Sequence, residues 1–243
     1  MAMWVALKDD DGIRPDPEAV EDDSDDVGMV PASRLGGPFV MVDGRTGKLT
    51  NDRAVFHGRW SLLYFGFTHC AEICPKNMRF MSTVIDTCVA KSFELPSAVA
   101  APMRVCFISI DPIRDGPAQM SRFLDRFTRN DALGATGDSK IRAESHCGLV
   151  GDEAQVGAAA RAWRVFFSSF AETVEEVAER ERRGYSSLRD AIKDDDSYQF
   201  DHSAAIYLVG PDGKARDLFF EAMPPDAVAE RVLSHMTDAY GIS

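Results

Sequence analysis

The chain has 243 residues, 45% of them hydrophobic, and a formal net charge of −12. A chain of this length can bury a substantial core as one large domain or two small ones. The acidic balance argues against a nucleic-acid ligand, because no basic patch offsets it. The sequence contains no apolar run of about 18 residues, so it predicts no membrane-spanning helix. Its five cysteines, one close pair and three scattered residues, do not resemble the dense disulfide framework of a small secreted domain.

Residues 1–33 form an acidic N-terminal segment. Between Asp9 and Asp26 ten acids accompany a single base, Arg14, so this stretch supplies −9 of the −12 charges. Such a composition cannot bury enough apolar surface to fold alone, and we expect the segment to be partner-bound or disordered. The apolar start, MAMWVAL, is too short for a signal-peptide core. A targeting or anchor segment, if the protein uses one, is therefore expected to have been removed.

The first elements after this segment are a hairpin, a buried strand and a helix. Phe39 to Thr50, with a turn at Gly44 to Gly47, predicts the hairpin. The nearly unbroken apolar run from Trp60 to Phe67 predicts a strand buried on both faces. Pro75 suits the first turn of a following helix. The apolar stripe of that helix is predicted to consist of Met78, Met81, Ile85 and Val89.

A second strand and helix repeat this pattern. Val105 to Ile110 predicts another buried strand, and Ala118 to Phe127 predicts a helix that Pro117 begins. The β-α-β-α succession is typical of an α/β fold with parallel strands. Asn130 to Gly151 is polar and weakly patterned, so we expect a loop insertion at about residues 130–150.

The last third of the chain predicts a thioredoxin-like ending. Its elements are a helix at Asp152 to Trp163 with Asp152 as cap, a strand at Arg164 to Phe167, a charged surface helix at Glu172 to Arg183, a hairpin of Ser203 to Val209 with Lys214 to Phe220, and a helix at Pro224 to Met236. The expected fold is α/β and thioredoxin-like, with a central mixed β-sheet flanked by helices, an N-terminal hairpin and charged insertions. Residues 34–243 would form this domain, and residues 168–200 its second insertion.

Two cysteines lie where the first buried strand gives way to a helix, in the stretch YFGFTHCAEICPKNM. A helix N-terminus favours a thiolate, because its unpaired amides and the helix dipole lower the pKa of a thiol. Cys70 and Cys74 are separated by three residues, whereas thioredoxin-type disulfide exchange normally uses two. The wider spacing leaves room for an atom between the sulfurs. The pair by itself could be a redox pair, a clamp for a soft metal or buried sulfur.

A histidine could complete a metal site with these cysteines. Two thiolates and one imidazole suit Cu(I), whereas structural zinc would require a fourth ligand. His202 opens the strand DHSAAIYLV, and the loop before that strand lies beside the cysteine turn in a thioredoxin-like sheet. His202 is therefore the best third ligand. The remaining histidines are expected to serve loop packing (His69), the surface (His57 and His235) and the loop insertion (His146).

Four motifs in order give the chain a resemblance to the Sco/SenC family, the thioredoxin-fold copper proteins of cytochrome c oxidase assembly. They are Gly36-Gly-Pro-Phe39, YFGFTHCAEICP from Tyr64 to Pro75, FISIDPIRDGP from Phe107 to Pro117, and DHSAAIYLVGPDG from Asp201 to Gly213. The span from Gly36 to the C-terminus is about five-sixths of the chain. A lone CxxxCP would be weak support, whereas four ordered motifs are strong support.

The resemblance implies a ligand set and an activity. Cys70, Cys74 and His202 stand at the family's copper ligands, so the protein is expected to bind copper, Cu(I) or Cu(II), and to help assemble the copper A site of cytochrome c oxidase subunit II. Asp111 matches an acidic position near that site. Alternatively, Asp111 and Asp115 end the strand and cap the next helix. The other cysteines match no functional position, and Cys88 and Cys106 are expected to be core residues.

Two alternative functions remain open at this point. Cys70 and Cys74 could act as a redox pair that reduces the cysteines of subunit II, or the protein could be a structural subunit bound stably to a respiratory complex. The expected partners are subunit II, an upstream copper donor, and the mature oxidase or a respiratory supercomplex. The expected location is the intermembrane-space side of the mitochondrial inner membrane, or alternatively the bacterial periplasm. Membrane association would come through a partner or a missing N-terminal anchor.

Overall fold

The computed structural model of the protein describes residues 35–92, 103–128, 145–166, 174–194 and 204–241. The acidic segment 1–33 and His202 lie outside these ranges, as do most of the first predicted insertion and both ends of the second. Among the described residues, no helix is both long enough and apolar enough to cross a membrane.

Seven strands of the described residues form one mixed sheet in the order β2-β1-β5-β4-β3-β6-β7. β3, β4 and β5 are parallel to one another, while β1 and β6 join them in antiparallel fashion. The strands are β1 (Val40–Asp43), β2 (Leu49–Asn51), β3 (Trp60–Gly66), β4 (Met103–Ser109), β5 (His146–Val150), β6 (Ile206–Val209) and β7 (Ala215–Phe219). This arrangement confirms the thioredoxin-like fold that the sequence predicts.

Helices cover both faces of the sheet, which explains why every residue of β3 is buried. On one face, Phe107 of β4 packs against Phe123 of α3, and Cys88 of α2 contacts Ala229 of α7. On the other face, Trp163 packs against Tyr207 of β6. The helices are α1 (Asp52–Phe56), α2 (Ile73–Ser92), α3 (Pro117–Thr128), α4 (Glu153–Ala162), α5 (Val174–Arg182), α6 (Leu188–Asp194) and α7 (Pro225–Ala239).

Most predicted elements are confirmed within a few residues of their expected bounds. Asp152 caps α4 as predicted, since its carboxylate accepts the amide of Gln155 while the Gln155 side chain accepts the amide of Asp152. The charged helix α5 lies at the surface. The short helices α1 and α6 were not predicted, because each is too brief to show a periodic apolar stripe.

The loop prediction for residues 130–150 is wrong over its last part, where β5 forms a buried inner strand of the sheet. His146 is consequently not a loop residue: it is buried in β5, with Ser82 at its Nε2 and Ser145 at its Nδ1. The sequence HCGLV offers few strand signals, because Gly148 leaves room for α3 instead of supplying a side chain. A β-carbon on Gly148 would overlap Met120.

Two further predictions are corrected. Arg164 to Phe166 is not a strand, because the chain turns at Arg164, which has a φ of 50°. Val89 does not belong to the buried stripe of α2, since it is 49% exposed while Cys88 is buried in its place.

Candidate metal and dithiol site

Cys70 and Cys74 meet where the carboxyl end of β3 passes into the amino end of α2. The backbone amide of Cys74 donates a hydrogen bond to the Cys70 sulfur over 3.4 Å. The amide of Cys70 in turn donates to the carbonyl of Phe67 and closes the turn. Cys70 is 6% exposed, whereas Cys74, inside the first turn of α2, is 0% exposed. The structure therefore brings the two predicted sulfur ligands together, with Cys70 on the outer side.

The two thiols differ sharply in acidity. The Cys74 thiol, hydrogen-bonded to the Cys70 sulfur, lowers the pKa of Cys70 to about 5, and the amides of the helix start lower it against the effect of burial. The same contact with Cys70, together with burial, raises the pKa of Cys74 far above its ordinary value. At neutral pH the site therefore consists of a Cys70 thiolate that accepts a hydrogen bond from a protonated Cys74.

Gly66 and Tyr64 of β3 line the inner side of Cys74. A β-carbon on Gly66 would lie 2.8 Å from the Cys74 sulfur, so only glycine leaves that sulfur its present position. The Tyr64 hydroxyl lies 4.0 Å from the same sulfur. Burial first, and the neighbouring Cys74 second, raise the pKa of Tyr64, which keeps this hydroxyl neutral.

A buried carboxylate holds the loop that leads to Cys70. Asp115 accepts hydrogen bonds from the Thr68 amide (2.9 Å) and hydroxyl (2.5 Å), from the Ser109 hydroxyl (2.6 Å), and lies 3.3 Å from Nδ1 of His69. The bond to Asp115 raises the pKa of His69. Asp115 therefore ties the end of β4 to the cysteine loop, a role that sequence reasoning missed because Thr68 lies 47 positions away.

Asp111 makes a separate buried ion pair with Arg114, whose Nε lies 2.6 Å from its Oδ2. Its other oxygen accepts the amides of Ile113 and Arg114. In the described residues, these acids thus order the loop before α3 instead of capping that helix. His69, Asp111 and Asp115 offer ligand atoms within 4.8 Å of one another. Because these oxygens already accept hydrogen bonds, the cluster suits a structural network better than a metal ion.

An open cleft of about 200 Å³ lies beside the cysteine loop. Thr68 and His69 form one side of it, and Gln119, Arg122, Phe123 and Arg126 of α3 form the other. The Arg126 guanidinium stacks on the ring of Phe123 at 5.8 Å. The cleft therefore offers positive charge and an aromatic face next to the outer cysteine.

None of the described histidines is in hydrogen-bond contact with Cys70 or Cys74. His57 is exposed at the end of α1, and His235 of α7 pairs with Asp217 of β7. His69 bonds to Asp115, which agrees with its predicted packing role. Whether His202 joins the cysteines remains a prediction, because it lies outside the described residues.

A thiolate and a thiol at the end of a central parallel strand, in a thioredoxin-like sheet, define a thioredoxin-like dithiol protein with soft donor atoms. A family model described as SCO1/SenC matches residues 28–237 of the chain. The chain therefore belongs to the SCO1/SenC family.

Individual relatives agree with this membership. The chain is 31% identical over 204 residues to the human mitochondrial protein SCO1 homolog, an alignment that covers 83% of this chain but 53% of the human protein. It thus spans about half the length of that relative. Copper-bound ScoI from Bradyrhizobium japonicum aligns with a TM-score of 0.54 and 27% identity, over 82% of this chain and 97% of that one. Copper-bound ScoI from Arabidopsis thaliana has the same fold, with a TM-score of 0.60 and 24% identity over 84% and 99% of the two chains.

Proposed function

We propose that this protein is a copper metallochaperone that carries Cu(I) on Cys70, Cys74 and His202 and supports assembly of the copper A site in subunit II of cytochrome c oxidase. Copper is the cargo in this proposal. The observation that carries it is the asymmetric cysteine pair, because a preformed thiolate with a second sulfur beside it is a soft donor set. Copper bound to Bradyrhizobium japonicum ScoI, which is 27% identical to this chain, supports the same cargo.

The chain around the sulfurs suits such a cargo. Gly66 leaves space next to Cys74, and Asp115 holds the loop before Cys70, so both donors are positioned before a metal arrives. The Cys70 thiolate needs no proton removal near neutral pH, whereas Cys74 must lose its proton when the metal binds. Binding is therefore expected to release about one proton from the pair.

The assignment of His202 as third ligand is supported by the strand register. Ile206, the first residue of β6, pairs with Tyr64 near the carboxyl end of β3. The described residues that precede it, Ala204 and Ala205, thus enter the sheet from the end where Cys70 lies. A histidine two positions earlier is a chemically suitable partner for two thiolates.

Titration of the reduced full-length protein with Cu(I) against a coloured competitor tests the ligand set. We expect one tightly bound equivalent, which the Cys70→Ser and Cys74→Ser variants lose. His202→Ala should weaken binding at least about tenfold. His57→Ala is the matched control, since His57 is exposed at the end of α1. Unchanged affinity and copper spectrum in His202→Ala would reject His202 as a ligand.

Delivery is tested separately with the copper-free soluble domain of subunit II. Loaded protein should transfer Cu(I) to that domain, which should show the copper A absorption spectrum after one-electron oxidation with ferricyanide, and the Cys70→Ser variant should not. Equal transfer by the wild type and by free Cu(I) in buffer would contradict a chaperone role. Stepwise exchange of thiolate and imidazole ligands would move the ion without releasing it.

A second candidate function, reduction of a partner disulfide, is favoured by the difference between the two thiols. Cys70 is the more exposed and the more acidic, so its thiolate would attack a partner sulfur and displace the other sulfur as a thiolate. Cys74 would then lose its proton and attack Cys70. The net result is an internal disulfide in this protein and two thiols in the partner. Reduction of an oxidised subunit II peptide by metal-free protein, compared with a double Cys→Ser variant, tests this activity.

The cellular setting is proposed on the same basis. Mitochondrial relatives such as the human SCO1 homolog favour the intermembrane-space side of the mitochondrial inner membrane. A Bacillus anthracis lipoprotein of the same family supports attachment to a bacterial membrane as the alternative, and the bacterial periplasm stays a prediction. A stable place in a mature respiratory complex, with an upstream copper donor, stays a prediction. Copurification with mature oxidase in equal amounts would support it, and association with immature subunit II alone would contradict it.

A further inference from the structure

A second cysteine pair lies in the core, on the sheet face opposite to Tyr64 and Cys74. Cys106 of β4 and Cys147 of β5 are direct register partners in a parallel strand pair, and both are buried. Register partners point to the same face, so the two sulfurs stand side by side. Because neighbouring strands lie about 4.8 Å apart, the two Cα atoms fall within the separation that a disulfide spans.

Two arginines surround this pair. Arg104 lies on the same face two residues before Cys106, and its positive charge lowers the pKa of the Cys147 thiol. Arg59, directly before β3, interacts electrostatically with both Arg104 and Cys147. Both arginine Nε atoms are buried without a hydrogen-bond acceptor, and neither guanidinium forms an ion pair within the described ranges. Two adjacent positive charges are unfavourable unless a negative group neutralises them, and Cys147 as a thiolate is such a group.

The pKa values of the two thiols shift in opposite directions, as those of Cys70 and Cys74 do. The hydrogen bond from Cys106 lowers the pKa of Cys147, and Arg104 lowers it further, while the same bond and burial raise the pKa of Cys106. Asp43 acts in the opposite direction on Cys147, but its Oδ1 already accepts bonds from Arg45 and Thr46. A cationic surrounding repels a metal cation and favours a thiolate that attacks electrophilic oxidants.

We propose that Cys106 and Cys147 form a second redox site, which small hydroperoxides oxidise to a cross-strand disulfide. The Cys147 thiolate attacks one peroxide oxygen, the O–O bond breaks, and the products are a sulfenic acid and, after protonation, water or an alcohol. Cys106 then loses its proton and attacks the Cys147 sulfur, so that an S–S bond forms, the S–O bond breaks and water leaves. Two electrons pass from the thiols to the peroxide.

Burial of the pair limits which oxidants can reach it, and the strand geometry determines how easily the disulfide is reduced. Cys147 is 8% exposed and Cys106 is 0% exposed, so only small oxidants reach them in the folded protein. Side chains on adjacent strands point in parallel, which strains a disulfide between them and makes it easily reduced. The site would therefore be reversible and separate from copper binding, which uses the other face of the sheet.

Peptide mapping of the reduced full-length protein after hydrogen peroxide treatment tests the proposal. Cys88 is the internal control, because it is also buried, but burial raises its pKa to about 12. We expect Cys147 to be oxidised at least about tenfold faster than Cys88. The product should be a linked Cys106–Cys147 peptide pair, two hydrogen atoms lighter, which dithiothreitol returns to thiols. Oxidation of Cys147 no faster than that of Cys88 would overturn the proposal, and this comparison needs no variant.

Variants then separate the two steps. In Cys106→Ser, oxidation should stop at a Cys147 sulfenic acid that dimedone traps. Arg104→Met should slow the first step about tenfold, because it removes a positive charge that favours the thiolate. Arg126→Met, which removes an exposed arginine of α3 instead, should leave the rate unchanged. An unchanged rate in a folded Arg104→Met variant would contradict the role of the arginines.

Discussion

The backbone of Gly66 approaches the sulfur of Cys74 so closely that a β-carbon at position 66 would lie 2.8 Å from it. Gly66 also lies next to Tyr64 and Phe107, so the strand has no room to move away. The close contact between these two residues determines where the inner sulfur can lie. A side chain at position 66 should therefore disturb the cysteine site more than it disturbs the rest of the fold.

Gly66→Ala is expected to displace Cys74, weaken Cu(I) binding about tenfold, and lower the free energy of unfolding by about 1–3 kcal/mol through overpacking. Competition titration and urea unfolding measure the two effects. Gly157→Ala is the matched control, because the nearest atom to its new β-carbon is the flexible Nη1 of Arg161. That helical substitution should keep stability or raise it, and an equal loss of copper affinity in both variants would contradict the proposed contact.

The reactivity of Cys70 should persist in mild acid. Its pKa of about 5 means that the thiolate fraction rises with pH and is half-maximal near pH 5, far below the ordinary thiol range. Iodoacetamide labelling of the reduced, metal-free protein from pH 3.5 to 9, followed by peptide mapping, measures this profile. Cys88, whose pKa is raised to about 12, should stay nearly unlabelled throughout. A midpoint for Cys70 near pH 8 or 9 would show that the helix start and Cys74 do not stabilise the thiolate.

Asp115→Asn should destabilise the domain by about 1–3 kcal/mol, because both carboxylate oxygens now accept bonds from Thr68, Ser109 and His69, and the amide replaces one of these acceptors with an NH2 donor. The cysteine loop should loosen in the same variant and exchange its amide hydrogens faster. Urea unfolding and hydrogen exchange of the Thr68 and Cys70 amides are the measurements. Asp125→Asn serves as control, since Asp125 pairs with Arg45 at the surface and should contribute less than about 1 kcal/mol. Equal losses in the two variants would be inconsistent with a buried anchoring role.

Asp152→Ala should cost about 1 kcal/mol, because it removes the acceptor for the Gln155 amide at the start of α4. Gln155→Ala removes only the reciprocal bond and should cost less. Thermal unfolding with both variants measures the difference. A larger loss of stability in Gln155→Ala than in Asp152→Ala would contradict the conclusion that the Asp152 carboxylate is the main cap of α4.

Sequence patterns were most successful where local chemistry and periodicity agree. The run from Trp60 to Gly66 is apolar at almost every position because helices cover both faces of the sheet, so it could be recognised as a buried strand. β5 was not predicted, because its residues do not follow a strand pattern. His146 hydrogen-bonds Ser82 of α2, and Gly148 makes room for Met120 of α3. Arg164 was misassigned because its turn follows the end of α4 and has no marker such as glycine.

The amino-acid sequence by itself determined the family, the thioredoxin-like class and the position of Cys70 and Cys74 between a strand and a helix, because these depend on local spacing and ordered motifs. Only the tertiary structure decided which cysteine is the thiolate, since that depends on amides, burial and a neighbouring thiol. It also decided that Asp115 holds the cysteine loop and that Cys106 faces Cys147. Both contacts join residues that are far apart in the sequence. A contact between separate strands or loops produces no regular spacing along the chain.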